Sequence, residues 1–394
     1  MADALPADRQ PVVIAALRTP VCRTNGALAR LRAYELLAPV LRELLTRTHI
    51  QPEAVDDVVI GNAVGGGGNV ARLSLLEAGL PVSVPGITVD RQCGSGLDAI
   101  ALAARLVAAG GNPAFLAGGV ESTSTAPLRA HRSDDGGAEF YQRAQFVPAR
   151  FGDPDMGEAA ETVAERFGVG RERQDAFALA SHRKALAAAA AGHFDGELVP
   201  LETAAGTVAA DDGPRKGLGA AVMSRFPPVF VAGGTVTAGN SCFDADAASA
   251  VVMTSLQRAR EMGAVDGLLV RGTATEGVHP EVLGVGAAAA ARTVLSGAGI
   301  ASDRLGLVEF NEAFASQTLA CLDQLGIPAD RANLDGGALA FGHAYGASGA
   351  VLVTRLLAQA RRAGTPGSLA LAMISSAGGM GTAALLEYTR LEDA

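Results

Sequence analysis

Hydrophobic positions along this chain switch repeatedly between two spacings. Short apolar runs bounded by Gly, Pro or charged residues predict strands over 12–16, 58–61, 87–89, 115–117, 248–253, 268–271, 307–310 and 369–375. Between them, apolar residues recur at helical spacing, which predicts helices over 34–45, 99–109, 158–167, 173–191, 287–295, 314–325 and 350–362. This alternation is the pattern of an α/β protein. The stretch 185–191 is nearly all alanine. Phe177, Leu179 and Leu186 share its pattern, so it reads as a helix packed closely through small side chains.

One segment recurs. Gly94-Ser95-Gly96 opens an apolar helix that ends near Gly110, and Pro113 then precedes Phe115-Leu116-Ala117-Gly118-Gly119. Late in the chain Ala347-Ser348-Gly349 opens another, ending near Gly364, and Pro366 precedes an apolar run and Gly378-Gly379. Ser to Pro is 18 residues in both copies, which predicts two similar α/β halves. The stretch 123–225, with helices, charged loops and few strands, reads as an insertion emerging from the first half. Within it Asp211-Asp212-Gly213-Pro214-Arg215 reads as a turn. The expected division is 1–122 for the N-terminal half, 123–225 for the insertion and return segment, 226–272 for the rest of that half, and 273–394 for the C-terminal half.

Composition narrows the function classes. In 394 residues, 32 basic against 41 acidic side chains give a net charge of −9, which argues against a nucleic-acid binder. Lys184 and Lys216 are the only lysines. Hydrophobic residues at 49% supply a large core. With aromatics at 4% and no Trp, that core is built from Ala, Val and Leu. Cys22, Cys93, Cys242 and Cys321 are far apart and form no CxxC pair, so neither a metal site nor a disulfide framework is expected. No apolar stretch is long enough to span a bilayer and no signal pattern is visible. The expectation is a cytoplasmic protein with no membrane or nucleic-acid partner.

Three positions carry candidate chemistry. Cys93 follows a strand and precedes Gly94-Ser95-Gly96 at a helix start, where the macrodipole is expected to favour the thiolate and free N–H groups can face a substrate. The plainer reading is a small buried hydrophobe. His343 stands in a loop with Gly336, Gly337, Gly342, Gly346 and Gly349, which displays one polar side chain as a general base or hydrogen-bond donor; alternatively it is a solvated loop histidine. The other five, His49, His131, His182, His193 and His279, have no such setting. Asn311-Glu312-Ala313-Phe314 follows a strand at the end where open α/β sheets place ligands, although Asn311 could simply cap a helix. Cys93, His343 and Asn311 could converge as nucleophile, base and polariser. The glycine loops match neither a Walker motif nor GxGxxG, which argues against a nucleotide cradle of those kinds.

Taken together these residues resemble the thiolase family over nearly the whole chain. Cys-Gly-Ser-Gly at Cys93, Asn-Glu-Ala-Phe at Asn311 and Gly-His-x-x-Gly-Ala-Ser-Gly at His343 stand in the family's order. Gly118-Gly119-Val120-Glu121-Ser122, Met156-Gly157 and Gly234-Thr235-Val236-Thr237-Ala238-Gly239-Asn240 support them. The resemblance implies a five-layered αβαβα sandwich of two similar halves with a loop domain over the site. It implies that Cys93 is acylated by a coenzyme A thioester, that His343 activates the thiol, and that Asn311 holds a water at one oxyanion site. Backbone N–H groups of Cys93 and Ala377 would form the second. Arg215, with Lys216 and Arg225, would lie toward the nucleotide. Met156, Ser241, Cys242, Phe243, Phe314 and Tyr345 would line the acyl-CoA path. No cofactor or metal is expected beyond the thioester substrate.

The chain departs from the family where its second catalytic cysteine belongs. Here the segment reads Ser375-Ser376-Ala377-Gly378-Gly379-Met380-Gly381. A thiol titrates near ~8.5 and a hydroxyl is a far weaker acid, so Ser375 is a poor base for an α-proton. Cys242-Phe243 replaces the usual Ser-Gly facing the pantetheine arm, and Tyr345 puts a phenol near the site. The 127–156 segment is shorter than in tetrameric relatives, so a homodimer is expected, with a tetramer as the alternative. The expected function is an acyltransferase forming or cleaving a β-ketoacyl-CoA through acyl-Cys93, in a biosynthetic role. The alternative is a repurposed decarboxylative condensing enzyme, or acyl transfer to an O or N nucleophile. A third reading is a thioester-binding scaffold without catalysis.

Overall fold

Alternation along each strand sorts the apolar side chains into separate cores. In the computed structural model, which describes residues 5–392, Val12 and Ile14 of the strand Pro11–Arg18 join one core cluster, while Val13 and Ala16 join another. In Leu369–Ser376, Leu371 and Met373 face a third cluster, while Ala370, Ala372 and Ile374 face the second. The shared second cluster also contains Leu97 and Ile100 of the helix Ser95–Ala109 and Val353 and Leu356 of the helix Tyr345–Ala363. These two helices therefore form a middle layer with a sheet on either side. Outside one sheet lie Ala33–Thr48 and Val70–Glu77; outside the other lie Gly286–Ala298 and Ala315–Leu325. Each buried Leu or Val adds about 1.5–3 kcal/mol of transfer free energy.

The two sheets repeat one pairing scheme. Asp57–Gly61 runs parallel to Ala114–Ser122, which is antiparallel to Ala245–Ser255, which is antiparallel to Pro11–Arg18. Leu305–Phe310 runs parallel to Leu369–Ser376, which is antiparallel to Met380–Arg390, which is antiparallel to Asp266–Gly277. The edge strand Gly86–Val89 of the first half corresponds to a single parallel bridge, Val308 to Ala332, in the second. Among the described strands the ladders of the two halves pair only at Val12–Leu269 and Val13–Leu268, so the sheet is continuous but narrow at this seam. Among the described residues no helix is long and apolar enough to cross a membrane.

Several expectations change. Met380–Arg390, an eleven-residue strand, and the helix Val70–Glu77 are absent from the sequence reading. The division at 272/273 falls inside the strand Asp266–Gly277, which pairs along its whole length with Met380–Arg390 and so belongs with the second half. The alanine-rich stretch forms the helix Arg171–Ala190, burying Ala178, Ala185 and Ala188. Residues 211–215 form an irregular bend rather than a turn, because Asp211 is drawn into the fold by Arg18 (2.7 Å) and the Val21 N–H (2.7 Å). Arg18 also binds Glu197, Glu197 binds Arg355, and Arg355 binds Asp335, so buried ion pairs tie the insertion to both halves.

The middle helices meet backbone to backbone. A methyl group at Gly119 would stand 1.9 Å from the Gly346 carbonyl oxygen, and one at Gly96 would stand 2.5 Å from the same atom. Gly119→Ala should therefore cost about 2–3 kcal/mol of stability by overpacking. Gly297→Ala, on the helix Gly286–Ala298 with nothing within 4 Å, should gain about 0.5–1 kcal/mol. Urea unfolding midpoints check both; equal midpoints for Gly119→Ala and the wild type would contradict the close approach of the helix Tyr345–Ala363 to the strand Ala114–Ser122.

Candidate active site

Cys93 is placed by a tight turn between the strand Gly86–Val89 and the helix Ser95–Ala109. Gln92 takes a positive φ of 50°, the Gly94 N–H donates to Arg91 O (3.0 Å), and the Ser95 hydroxyl donates to Gln92 O (2.6 Å). The backbone N–H groups of Ala377 and of Cys93 itself lie near enough to the Cys93 sulfur to favour its anion. Ala377 can aim its N–H there because Gly378 and Gly379, at φ 84° and 83°, turn the chain from Leu369–Ser376 into Met380–Arg390. The expected thiolate is not the resting form. Burial pushes the Cys93 thiol up to about 12, against the opposing pull of the two N–H groups, and Glu121 and Asp244 add to the rise.

His343 follows Gly342 (φ 101°) in the loop before the helix Tyr345–Ala363. Its backbone N–H donates to Phe243 O (2.8 Å), and its carbonyl accepts from the Ala245 N–H (3.1 Å). Nδ1 pairs with the Ser348 hydroxyl at 2.7 Å, while Nε2 is buried without a partner. The ring is 3% exposed, and burial lowers its pKa to about 4, so it is neutral at pH 7. Glu121 fixes this loop from the other half: its buried carboxylate accepts the N–H groups of Gly346, Ala63 and Val64 and the Asn62 amide. Burial raises Glu121 to about 7. In the sequence Glu121 shows only as part of a matching segment.

Asn311 caps no helix. Phe314 is the N-cap of Ala315–Leu325, and the Asn311 side-chain Nδ2 is buried without a partner. Its neighbour Glu312 is buried and accepts hydrogen bonds from Ser181, Asn333 and the Leu339 N–H, which clamps the loop. A cavity of about 30 Å³, room for roughly one water, lies beside Asn311, Ser348 and Ala344.

The segment 240–245 links the two loops. The Ala315 N–H donates to Asn240 O and the Cys242 N–H to Ala313 O, both at 2.9 Å, before Phe243 and Ala245 pair with His343. The Cys93 sulfur is close enough to Cys242 for its charge to raise the Cys242 thiol further, after burial and Asp244. Tyr345 stands edge-on to His343, with ring centroids 5.2 Å apart, and donates its O–H to Asp244 at 2.6 Å. Phe314 meets Phe230 edge-on at 6.1 Å, and Phe230 lies against Gly157, the residue after Met156. Ser241 donates to Thr237 O (2.8 Å). The Phe243 ring lies against Gly342 and Gly213. Arg215 and Lys216 are exposed on the bend that packs through Gly213 onto that ring, and Arg225 is exposed further along.

Ser375 is engaged elsewhere. Its hydroxyl donates to Gly284 O (2.7 Å) and accepts the Ala287 N–H (3.0 Å). By strand alternation it shares the face of Leu371 and Met373, toward the outer helices. Ser376 is on the middle-layer face. Its buried, unpartnered Oγ would be 2.8 Å from a methyl group at Gly94. The period-2 pattern of the strand was the signal that distinguishes these two serines.

Residues 11–257 match the thiolase N-terminal domain, and residues 268–388 match the thiolase C-terminal domain. A protein of Staphylococcus epidermidis provisionally named acetyl-CoA C-acetyltransferase VraB is 41% identical over 384 residues, covering 96% of this chain and 98% of the relative. A Bacillus subtilis protein provisionally named acetyl-CoA C-acetyltransferase YhfS is 42% identical over 378 residues, covering 95% and 98%. The crystal structure of the Bacillus anthracis acetyl-CoA acetyltransferase superposes with a TM-score of 0.88 at 32% identity, covering 98% of this chain and 100% of that one.

The neutral His343 has a consequence for acid stability. Below pH 6.5 the unfolded imidazole takes up a proton that the folded one refuses until about pH 4. Folding therefore loses stability as pH falls through that window, by roughly 3 kcal/mol at its lower end. His343→Asn, which cannot titrate, should lose that much less stability between pH 7 and 4 in urea midpoints. An unchanged pH slope would contradict a buried neutral ring.

Proposed function

Because the chain belongs to the thiolase family and is an acyltransferase, we propose that it forms or cleaves a β-ketoacyl-CoA through an acyl group carried on Cys93, working in the synthetic direction. The observation that carries this reading is the Cys93 thiol under the Ala377 N–H in the same fold as two buried, unpartnered groups, His343 Nε2 and Asn311 Nδ2. With Nδ1 donating to Ser348, His343 Nε2 holds a lone pair and takes the Cys93 proton as sulfur attacks the thioester. The Cys93 and Ala377 N–H groups then hold the acyl oxygen, at ~3–4 kcal/mol of transition-state stabilisation per donor. Asn311 and His343 hold the oxygen of the second thioester, and the cavity beside Asn311 has room for a bridging water.

Met156, Ser241, Cys242, Phe243, Phe314 and Tyr345 line the acyl-CoA path, with Arg215 toward the nucleotide end and the insertion covering the site. We place the enzyme in the cytoplasm as a homodimer. The edge strand Gly86–Val89, with Ile87 exposed, supports pairing with a second copy. A second reading, decarboxylative condensation or transfer to an O or N nucleophile, is favoured by one observation: the Ser375 hydroxyl already donates its proton to Gly284.

Intact-protein mass after mixing with acetoacetyl-CoA separates the two, with Cys93→Ala as control. An acetyl adduct absent from Cys93→Ala is the expected result. An acetoacetyl adduct would overturn C–C cleavage in favour of the second reading.

A further inference from the structure

Proton transfer at the α-carbon needs a base beside the oxygen site of Asn311 and His343, since that carbon is one bond from the thioester carbon whose oxygen they hold. Two candidates near the site have their protons committed. The Ser375 hydroxyl donates to Gly284 O at 2.7 Å and accepts from Ala287 N–H on the outer face of its strand. The Tyr345 phenol donates to Asp244 at 2.6 Å, and burial with that carboxylate pushes its pKa further up. Of the remaining thiols, Cys321 lies in the outer core of the second half and points its S–H at Gly284 O. Cys22 lies in the outer core of the first half.

Cys242 is different. Its N–H is tied to Ala313 O in the Asn311 loop, and the next residue accepts from the His343 N–H, so its Cα sits between the two loops. The flanking bridges Ser241–Phe314 and Asp244–His343 fix it from both sides. Its thiol is close enough to Cys93 for the Cys93 charge to act on it, and both sulfurs act on Tyr345, whose ring stands edge-on to His343 at 5.2 Å. The Nε2 of that histidine is buried without a partner.

We propose that Cys242 is the second catalytic thiol, which exchanges the α-proton of the acceptor thioester in place of a cysteine at position 375. This rests on the acyl-Cys93 reading above. In the first half-reaction the Cys93 proton goes to His343 Nε2, the Cys93 sulfur–carbon bond forms, and the carbon–sulfur bond to coenzyme A breaks. The departing thiolate takes the Cys242 proton and leaves as the thiol. The site then holds acyl-Cys93, a Cys242 thiolate and a His343 imidazolium. In the second half-reaction the Cys242 thiolate takes the α-proton of the incoming acyl-CoA, and the enolate oxygen is held by His343 and Asn311. The enolate carbon attacks the acyl-Cys93 carbonyl, and the Cys93 thiolate leaves with the His343 proton. All three groups return to their starting forms. Burial beside Asp244 raises the Cys242 thiol, so it rests protonated, and its thiolate once formed is the stronger base for the α-proton.

The test is wash-out of α-protons from acetyl-CoA in D2O, read beside the Cys93 acetyl adduct by intact mass. Wild type should form the adduct and exchange. Cys242→Ala should still form the adduct on long incubation, while exchange falls about 100-fold or more. Cys242→Ser, nearly the same size, guards against a folding defect; it should form the adduct and lose exchange comparably, with the remnant rising toward high pH. Exchange within about threefold of wild type in either folded variant would overturn the assignment while leaving acyl-Cys93 intact. Wild type that forms the adduct without exchanging would overturn it too. Absence of any adduct in wild type would overturn the underlying reading along with it.

Discussion

Everything at the candidate site depends on two helices that touch without side chains between them. The Gly346 carbonyl lies where a methyl group on either Gly96 or Gly119 would have to be, and a methyl on Gly349 would be 2.5 Å from the Leu97 nitrogen. This contact brings the N-terminus of Ser95–Ala109, preceded by Cys93, against that of Tyr345–Ala363, preceded by His343. The glutamate of the neighbouring strand, Glu121, then bonds the Gly346 N–H across the same junction. Interiors are packed like crystals, so one added carbon here is not absorbed by soft neighbours but displaces a catalytic loop.

The same burial sets the electrostatics. Packing this tight removes water from His343 and most of it from the half-buried Cys93, and each prefers its neutral form: imidazole and thiol rather than imidazolium and thiolate. Two nearby N–H groups and a helix end are smaller effects on Cys93 than desolvation. The nucleophile must therefore be activated as it reacts, by transfer to Nε2, rather than standing ready as an anion. Glu121 and Glu312 show the same tendency, each raised by burial and each surrounded by donors that hold it in place.

Much of this was legible in the chain. The strands with β-branched runs, the 18-residue Ser-to-Pro spacing shared by the two halves and the three chemical positions all follow from local pattern. What was hidden depended on neighbours. Ala383-Ala384-Leu385-Leu386 favours helix by propensity, and it is a strand because Asp266–Gly277 and Leu369–Ser376 bond it on both edges. A helix start before Ser95 is visible in sequence, but the burial that reverses its effect on Cys93 is not. Alternation puts Ser375 and Ser376 on opposite faces, but which face is the middle layer follows only from where Leu371, Met373 and Ile374 pack. Cys242 was legible as a departure, but its place between the two loops follows only from the backbone bonds that stitch 240–245 to both.

The central claim is that a half-buried, neutral Cys93 reacts only through His343. Its most direct test is the rate of Cys93 acetylation by acetyl-CoA as a function of pH, in wild type and in His343→Ala. The account predicts fast acetylation near pH 7 in wild type, and in the variant a slow rate that climbs steadily toward pH 12 as the thiol ionises unaided. Acetylation of His343→Ala at the wild-type rate near pH 7 would contradict it, because the thiol would then need no partner to give up its proton.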